Sequence, residues 1–249
     1  AAEEMALELG LEEEAGQWNT ILSQWPEMAV DPESGLMFAP GFPYDESHRH
    51  FSHLMAFHPL GMIDVSKGPA QAEIIYNTLR NMEYQGPDWW TGYSYSWMGN
   101  LYARALEGDK AAEALRDFAT CFTLPSSFHV NGDQSGTGKS KFTYRPFTLE
   151  GNFAFASGIH EMLLQSHTGI VRVFPAIPGS WSDVSFKTLR TEGAFLVSAT
   201  RENGACTRVE ITAEKGGTIR LADPFRDGSG LEILELKLEK GETRVLQGK

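Results

Sequence analysis

The chain has 249 residues, of which 41% are hydrophobic, and a formal net charge of −12. This acidity argues against nucleic acids and anionic membrane surfaces as partners, because contacts to phosphate need clustered Lys and Arg. No uncharged apolar run is long enough to span a membrane. The two cysteines, Cys121 and Cys206, have neither metal-binding nor redox spacing, so no disulfide framework is predicted.

The first two-thirds of the chain predicts helices joined by long loops. Residues 3–24 are predicted to be helical, 26–47 to form a loop rich in Pro and Gly, and 51–57 to be a short apolar segment that stops before Pro59. Three further helices are indicated by residues at helical spacing, and the second of them is predicted to end at Gly108. Their apolar faces are Ala72, Ile75, Tyr76, Leu79 and Met82; Tyr93, Trp97, Leu101 and Ala105; and Ala111, Leu115, Phe118 and Phe122.

A loop of about twenty residues, from Ser126 to Thr148, precedes the last predicted helix, and loops of that length inside compact domains are usually functional. The helix is indicated by residues that recur at helical spacing, namely Phe153, Ala156, Ile159, Leu163 and Ser166.

After His167 the hydrophobic pattern alternates as in strands. The alternating runs are Phe195, Val197 and Ala199; Val209, Ile211 and Ala213; and Leu234, Leu236 and Leu238. Asn203-Gly204 lies between the first two runs and is a strong hairpin signal. Helices followed by strands predict an α+β fold, with a helical domain at 1–168 and a small antiparallel β-domain at 169–249. Paired helices with long intervening loops suit an α/α toroid.

The run from Phe147 to Phe153 contains the strongest candidate for a catalytic residue. Arg145-Pro146 disfavours regular structure before this run and a helix follows it, so Glu150 is predicted at a helix N-terminus. There the helix dipole and the free backbone N–H groups favour an ionised carboxylate. Such a carboxylate is what a hydrolase needs to orient an attacking water. The alternative is an acidic residue that only caps the helix.

Four histidines surround Arg49 in the sequence: His48, His50, His53 and His58. Zinc sites usually have histidines one helical turn apart or cysteine partners, and the charge of Arg49 between His48 and His50 would repel a cation. Hydrogen bonds from Arg49 and His50 to substrate hydroxyls therefore fit better than a metal site. Scattered structural histidines are the third interpretation.

Trp89 and Trp90 are adjacent at the start of a predicted helix. Both rings cannot face the same core, so one is predicted to line a cleft, where it would stack on a sugar. The alternative is a plug between domains.

The segment Gly136-Thr137-Gly138-Lys139-Ser140 imitates a phosphate-binding loop. That motif requires a glycine at the position of Asp133, whereas Gly132 lies one residue too early. No buried strand precedes the segment and no helix follows directly. Nucleotide binding is therefore not predicted, and no cofactor is expected.

Three of these segments, in this order, resemble the C-terminal half of glycoside hydrolase family 95, which contains inverting α-L-fucosidases and related α-L-galactosidases. They are His48-Arg49-His50-Phe51-Ser52-His53-Leu54; Thr91-Gly92-Tyr93-Ser94 with Asn100-Leu101-Tyr102-Ala103-Arg104; and Thr148-Leu149-Glu150-Gly151-Asn152-Phe153 with Glu161 to His167. Phe174-Pro175-Ala176-Ile177-Pro178 and Trp181 resemble the start of the family's C-terminal β-domain.

The resemblance implies a partial (α/α)6 toroid with the active site in its bowl, followed by a small antiparallel β-sandwich domain. Glu150 takes the position of the family's catalytic aspartate, which helps an asparagine pair to activate water. Arg49 and His50 take positions that contact the terminal sugar, and single displacement would invert the anomeric centre. The predicted substrate contacts are Arg49, His50, Trp89, Trp90, Tyr144 and Asn152, and no metal is expected.

Two departures from the family pattern matter. Glu150 replaces aspartate, and the extra methylene moves the carboxylate by about 1.5 Å, enough to misplace a water. The family's asparagine pair and general-acid glutamate precede the region that resembles this chain and have no counterpart here. We therefore expect the C-terminal part of a larger polypeptide, or one piece of a split enzyme, acting on a terminal α-L-fucosyl- or α-L-galactosyl-type sugar of a glycan or of a plant or algal polysaccharide.

Two other functions stay open. A toroidal polysaccharide lyase would need a Tyr or His base, for which Tyr144 or His129 is available. A non-catalytic carbohydrate-binding homologue would carry Glu150 as the mark of a decayed site. The resemblance implies a secreted or periplasmic protein, although the chain shows no signal peptide.

Overall fold

The computed structural model describes residues 2–226 and 232–248. Within these residues the helices come first: α1 (Ala2–Glu8), α2 (Glu12–Ser23), α3 (Pro69–Gln85), α4 (Gly92–Arg104), α5 (Gly108–Cys121) and α6 (Glu150–Leu163). Short 3₁₀ turns lie at Ser52–Leu54 and Val65–Lys67, and a small ribbon is formed by β1 (Val30–Asp31) and β2 (Gly35–Leu36). No helix in the described ranges is both long and apolar enough to cross a lipid bilayer.

Helices α4, α5 and α6 approach one another closely because glycines lie at their contacts. A Cβ added at Gly99 or Gly158 would lie 2.5 or 2.8 Å from the side chain of Leu115. Asn100, fully buried in α4, donates a hydrogen bond of 2.8 Å to the carbonyl of Ala154 in α6. α4 is therefore the central helix of the three, packed against both α5 and α6.

Three helix boundaries differ from the predicted ones. Two helices replace the single one predicted over 3–24, because Gly10 adopts a left-handed conformation with φ 72° after α1. α4 ends before the predicted Gly108, which instead begins α5. α6 ends at Leu163, so Ser166 lies beyond it. The apolar pattern continues across each break, which is why periodicity alone placed these ends wrongly.

The strands follow as β3 (Leu164–Gln165), β4 (Arg172–Val173), β5 (Val184–Thr191), β6 (Phe195–Glu202), β7 (Ala205–Ala213), β8 (Gly217–Ala222), β9 (Ile233–Leu238) and β10 (Thr243–Gln247). One antiparallel sheet has the order β10-β7-β6-β5, and β3 pairs with β4 and β8 with β9. Helices followed by antiparallel strands confirm the predicted α+β class. The toroid and the β-sandwich stay predictions.

The predicted hairpin is confirmed between β6 and β7. Asn203 and Gly204 have φ angles of 50° and 82°, as a tight hairpin turn requires. The alternating residues of these strands face one hydrophobic core, to which β8 and β9 also contribute. Its members include Phe195, Val197, Ala199, Val209, Ile211, Ala213, Ile219, Leu221 and Leu238.

The helical part and the β part are in contact. Ala176, beyond β4, belongs to the helical core, and a Cβ added at Gly108 would lie 2.7 Å from the Ala176 backbone. The carboxylate of Asp109 accepts a hydrogen bond of 3.0 Å from the N–H of Gly179. The domain boundary between 168 and 169 stays a prediction.

Candidate active site

Glu150 is the first residue of α6, and its side chain is exposed. The predicted placement at a helix N-terminus is therefore confirmed, and the helix dipole favours the ionised carboxylate there. Leu149 occupies the N-cap position, and no described side chain makes a capping hydrogen bond to this helix. This arrangement does not support the alternative in which Glu150 only caps α6.

The backbone on both sides of Glu150 is tied to His129, which is fully buried. Nδ1 of His129 lies 2.9 Å from the carbonyl oxygen of Thr148 and 2.8 Å from Thr148 Oγ1. Thr148 Oγ1 in turn donates to Oδ1 of Asn131 over 3.1 Å. On the other side, Oδ1 of Asn152 accepts a hydrogen bond of 2.9 Å from the His129 N–H. These hydrogen bonds fix the turn that carries the Glu150 carboxylate.

The ring of His129 lies between the starts of two helices. A Cβ added at Gly92 would lie 2.4 Å from Nε2, and one added at Gly151 would lie 2.4 Å from Nδ1, so both helix starts need glycine. Because the Thr148 carbonyl can only accept, Nδ1 carries the proton, and Nε2 has no partner among the described residues. Burial lowers the pKa of His129, opposed by the Thr148 hydrogen bond and the charge of Glu150, so the ring is neutral at neutral pH.

The first turn of α4 connects the Glu150 region with Arg49. Oγ of Ser94 donates a hydrogen bond of 3.0 Å to the carbonyl oxygen of Arg49. Burial, and after it the charge of Glu150, raises the pKa of Tyr93 in the same turn. Segments that are far apart in the sequence therefore meet at one helix start.

Arg49 and His50 are both exposed. The guanidinium carbon of Arg49 lies 5.6 Å from the centre of the Phe142 ring, a cation–π contact. Burial, and then the charges of Arg49 and His48, lowers the pKa of His50, which is neutral at neutral pH. A guanidinium and a neutral imidazole at the surface are able to donate hydrogen bonds to sugar hydroxyls. Their contact with a sugar stays a prediction.

Trp89 and Trp90 face in different directions. Trp90 is 6% exposed and its Nε1 donates to the hydroxyl of Tyr44 over 3.2 Å, so its ring belongs to the core. Trp89 is 45% exposed and meets Phe142 edge-on, with ring centres 5.3 Å apart. Phe142 meets Tyr144, which is also exposed, in the same way. Sugar stacking stays a prediction for Trp89, as does substrate contact for Tyr144, whereas burial argues against sugar stacking for Trp90.

The remaining histidines of the candidate cluster lie apart. His53 is buried with its ring 4.5 Å from Phe38 and 5.3 Å from Tyr44, and burial lowers its pKa to about 4. Burial is also the main cause that lowers the pKa of His58 to about 4. Residues 2–226 and 232–248 contain no group of three or more His, Cys, Asp or Glu side chains placed to hold a metal ion. His53 and His58 therefore fit the third interpretation, in which the histidines of this segment are structural.

Asp133 organises the glycine-rich segment that imitates a phosphate-binding loop. Its carboxylate accepts hydrogen bonds from the N–H groups of Ser135 (2.7 Å) and Lys139 (2.9 Å). The ammonium of Lys139 is already paired with Asp117 at 2.6 Å. A phosphate would meet a carboxylate where the motif requires glycine, and this geometry does not support nucleotide binding.

Asn152 holds the long loop. Its Oδ1 accepts from the N–H of His129 and its Nδ2 donates to the carbonyl of Ser127, each over 2.9 Å. Both ends of the amide are engaged with backbone groups, so the structure assigns Asn152 a role in positioning. Its predicted contact with substrate stays a prediction.

Several residues of this site were not predicted as such, namely Asn131, Phe142 and Thr148. His129 was considered only as a base for a lyase, and its complete burial argues against that role. The sequence contained one signal for His129: glycines, Gly92 and Gly151, lie at two helix starts. Their lack of a side chain lets the buried ring of His129 approach the backbone closely. Glycine has too many uses for that signal to identify the ring.

Known proteins match the chain over both of its parts. A family model described as the Glycosyl hydrolase family 95 catalytic domain matches residues 4–163, and one described as Glycoside hydrolase family 95, C-terminal domain matches residues 165–244. The chain is 31% identical over 179 residues to Alpha-L-fucosidase 2 of Arabidopsis thaliana, a match that covers 71% of this chain and 19% of that protein. The chain thus spans about a fifth of the length of this curated relative. The resemblance carried by the three motifs is confirmed.

Proposed function

Because the chain belongs to glycoside hydrolase family 95, we propose that it supplies the water-activating carboxylate of an inverting glycosidase. The substrate is a terminal α-L-fucosyl- or α-L-galactosyl-type sugar of a glycan or of a plant or algal polysaccharide. The observation that carries this proposal is the position of Glu150, an exposed carboxylate on the fixed first turn of α6. In this proposal Glu150 takes the place of the family's catalytic aspartate.

Glu150 acts as the general base in this proposal. It removes a proton from a water that attacks the anomeric carbon, on the face opposite to the leaving group. His129 and Asn152 hold its backbone from both sides, which supports precise placement of the water. Arg49 and His50 hold the terminal sugar through hydrogen bonds to its hydroxyls. Trp89 and Tyr144 offer exposed rings for its apolar face.

The general acid and the asparagine pair come, in this proposal, from a further part of a longer or split protein. Two observations support it: the relative is about five times as long as its matched segment, and several large apolar side chains on α1, α2 and the turn between them are exposed. They are Met5, Leu7, Leu11, Trp18, Ile21 and Leu22. A secreted or periplasmic location is part of the same proposal.

A carbohydrate-binding homologue without activity is the second candidate. It is favoured by the presence of glutamate where the family has aspartate. A lyase is less well supported, because His129, one of the two bases considered for it, is buried and its Nδ1 proton is engaged with Thr148. The other, Tyr144, is exposed.

The test is turnover by the complete enzyme that contains this chain, measured as release of L-fucose from 2′-fucosyllactose. Glu150→Gln removes the base but keeps the shape, so turnover should fall about 10²- to 10⁴-fold while sugar binding survives. Glu12→Gln is the matched control, because Glu12 is also an exposed first residue of a helix, α2. Unchanged turnover in Glu150→Gln would remove the proposed base.

Glu150→Asp separates the two candidates. If the site has been rebuilt around glutamate, the shorter side chain loses activity. If the parent chain is inactive and Glu150→Asp restores fucoside hydrolysis, the natural protein is the non-catalytic homologue.

A further inference from the structure

Two buried side chains of the β3–β4 hairpin each leave one polar atom without a partner. Gln165 and Arg172 lie directly opposite each other in the antiparallel ladder, so their side chains are on the same face. Oε1 of Gln165 and Nη2 of Arg172 make no hydrogen bond to any described residue. Buried polar groups are nearly always hydrogen-bonded, so an acceptor and a donor left open side by side need an explanation.

Arg172 is the more telling of the two, because its side chain is charged. The residue is only 8% exposed. In the described ranges its guanidinium forms no ion pair, and Nη1 donates to Thr168 Oγ1 over 3.0 Å. Arginine is almost never buried without a counterion, since an isolated charge away from water is costly. Pairing Nη2 with Gln165 or with a water molecule would supply a hydrogen bond but leave the charge unbalanced.

Arg104 shows how this chain treats a buried guanidinium that has its counterion. It is 6% exposed and donates to Glu161 through two hydrogen bonds, of 2.8 and 3.0 Å. Glu161 is therefore already engaged. The other buried carboxylate that contacts this hairpin belongs to Asp64, which lies 2.8 Å from Nε2 of His167. Both carboxylates have partners of their own, so the charge of Arg172 is balanced by neither of them.

The groups around Arg172 are held in place by the helical part. Nε2 of Gln165 donates to the carbonyls of Ala103 in α4 and Glu161 in α6, over 2.9 and 3.0 Å. These two bonds fix the amide and leave Oε1 as a buried acceptor. Thr168 Oγ1 accepts from Arg172, and its own proton has no acceptor among the described residues. Two donors and one acceptor are thus available at this face.

We propose that this face of the β3–β4 hairpin binds a small oxyanion that carries a proton, such as hydrogen phosphate. Its charged oxygens accept from Nη2 of Arg172 and from the hydroxyl of Thr168, and its own O–H donates to Oε1 of Gln165. One molecule then supplies the counter-charge, the acceptors and the donor. The site lies at the contact between the helical part and the β part, because Gln165 is bonded to both α4 and α6.

This site is independent of the proposed function. The hairpin follows the C-terminal end of α6, whereas Glu150 is the first residue of that helix. With 14 residues at about 1.5 Å each, α6 separates the two by about 20 Å. Loss of the anion should therefore weaken the contact between the helical part and the β part, and it does not require that Glu150 be catalytic.

Titration of the 249-residue chain with inorganic phosphate at pH 7 and constant ionic strength tests the proposal. Calorimetry should show saturable binding, and the melting temperature should rise by about 3–6 °C at a phosphate concentration about tenfold above Kd. Arg172→Met should abolish both effects. Arg220→Met is the matched control, because Arg220 is a half-exposed arginine of the neighbouring strand β8. Phosphate also stabilises proteins generally by exclusion from their surface, so the difference between the two variants is the result that counts.

The stability of Arg172→Met without phosphate is a second readout. In a buffer that contains no oxyanion, removing a buried charge that lacks a counterion should leave the melting temperature unchanged or raise it. Arg104→Met, which separates an equally buried guanidinium from Glu161, should lower it. A fall in Arg172→Met as large as that in Arg104→Met would overturn the proposal, because Arg172 would then be paired within the chain. Absence of phosphate binding in the parent, or binding that Arg172→Met retains, would overturn it as well.

Sulfate tests the proton of the ligand. It resembles hydrogen phosphate in size and charge but carries no proton at pH 7, so it would leave Oε1 of Gln165 without a donor. An unsatisfied buried acceptor is costly, and sulfate should therefore bind about tenfold more weakly than phosphate at the same ionic strength. Sulfate that binds as tightly as phosphate would overturn the assignment of the ligand's O–H to Gln165.

Discussion

Each end of α6 has a glutamate, but the two carboxylates differ in their exposure to solvent. At the N-terminal end, the carboxylate of Glu150 is exposed and makes no capping bond. At the C-terminal end, Glu161 receives two hydrogen bonds from Arg104, of 2.8 and 3.0 Å, and the two side chains are only 15% and 7% exposed. One helix therefore has one carboxylate open to solvent and one enclosed with its counterion.

A second enclosed pair, Asp64 and His167, involves a residue just beyond the C-terminal end of α6. Asp64, 1% exposed, lies 2.8 Å from Nε2 of His167 and accepts from Ser66. Burial would raise the pKa of Asp64, but the hydrogen bonds from His167 and Ser66 outweigh burial and hold that pKa well below its ordinary value. A buried charge is tolerated when it is paired, whereas an exposed charge is free to act on a ligand. The C-terminal end should therefore govern stability and the N-terminal end activity.

The largest effect on stability is expected when Arg104 loses its charge. Arg104→Met leaves the largely enclosed Glu161 carboxylate without its counterion, and the loss of one partner of an enclosed pair typically costs about 3–5 kcal/mol of unfolding free energy. Chemical denaturation of the chain measures this loss. Replacing Glu161 as well, in Arg104→Met/Glu161→Met, removes the stranded charge and should recover most of the stability.

Lys110→Met is the control for that experiment. Lys110 pairs with Glu83 over 2.7 Å, but the two side chains are 46% and 37% exposed. An exposed pair contributes at most about 1 kcal/mol. A loss in Lys110→Met as large as that in Arg104→Met would contradict the distinction between enclosed and open charges.

Acidification should destabilise the chain through its buried histidines. Burial lowers the pKa of His53 and of His58 from 6.5 to about 4. Below pH 6.5 these two histidines bind protons in the unfolded chain but not in the folded chain. Stability therefore falls as the pH drops from 6.5 towards 4. Each histidine contributes on the order of 3 kcal/mol to the loss. Asp64 acts only below this window, because its folded pKa lies under the ordinary value.

His53→Phe isolates one of these contributions. Neither ring nitrogen of His53 has a partner among the described residues, so phenylalanine loses no hydrogen bond. Melting temperatures measured at several pH values should fall less steeply on acidification in this variant than in the parent. An identical pH dependence in the two proteins would show that folding does not lower the pKa of His53.

A smaller effect, confined to ligand binding, is expected at Arg49. Hydrogen bonds from a charged donor contribute about 1.5–3 kcal/mol, so Arg49→Ala should weaken binding of L-fucose about ten- to a hundredfold. Titration with L-fucose measures this change, and Arg116→Ala on α5 is an exposed control. If Arg49→Ala unfolds the chain while the folded fraction binds normally, the role of Arg49 is structural.

The hydrophobic pattern was sufficient to predict the helical part and the strands β6, β7 and β9, but it did not identify β5, β8 or β10. The change of period after His167 and the Asn203-Gly204 signal led to the correct hairpin, because alternation and turn chemistry are local properties. The start of α6 at Glu150 followed from the same kind of local argument. Helix ends were less accurate, as Gly10 shows, because apolar spacing continues through a break in the backbone.

The contacts that build the site were beyond sequence reasoning. His129 meets Thr148 across a loop, and its ring fills a space that Gly92 and Gly151 leave open. Nothing in the spacing of these residues specifies that encounter, since it depends on how two helix starts pack together. For the same reason, the sequence could not tell that Trp90 faces the core while Trp89 faces solvent.

No effect at all is expected from removal of metal ions. His53 lies in the core against Phe38 and Tyr44, so it cannot join His48 and His50 around one ion. The positive charge of Arg49 between the latter two would repel a cation. Incubation with EDTA should leave the melting temperature and L-fucose binding unchanged. If EDTA lowers the melting temperature or weakens L-fucose binding, and zinc or calcium restores it, then this segment binds a metal ion rather than sugar hydroxyls.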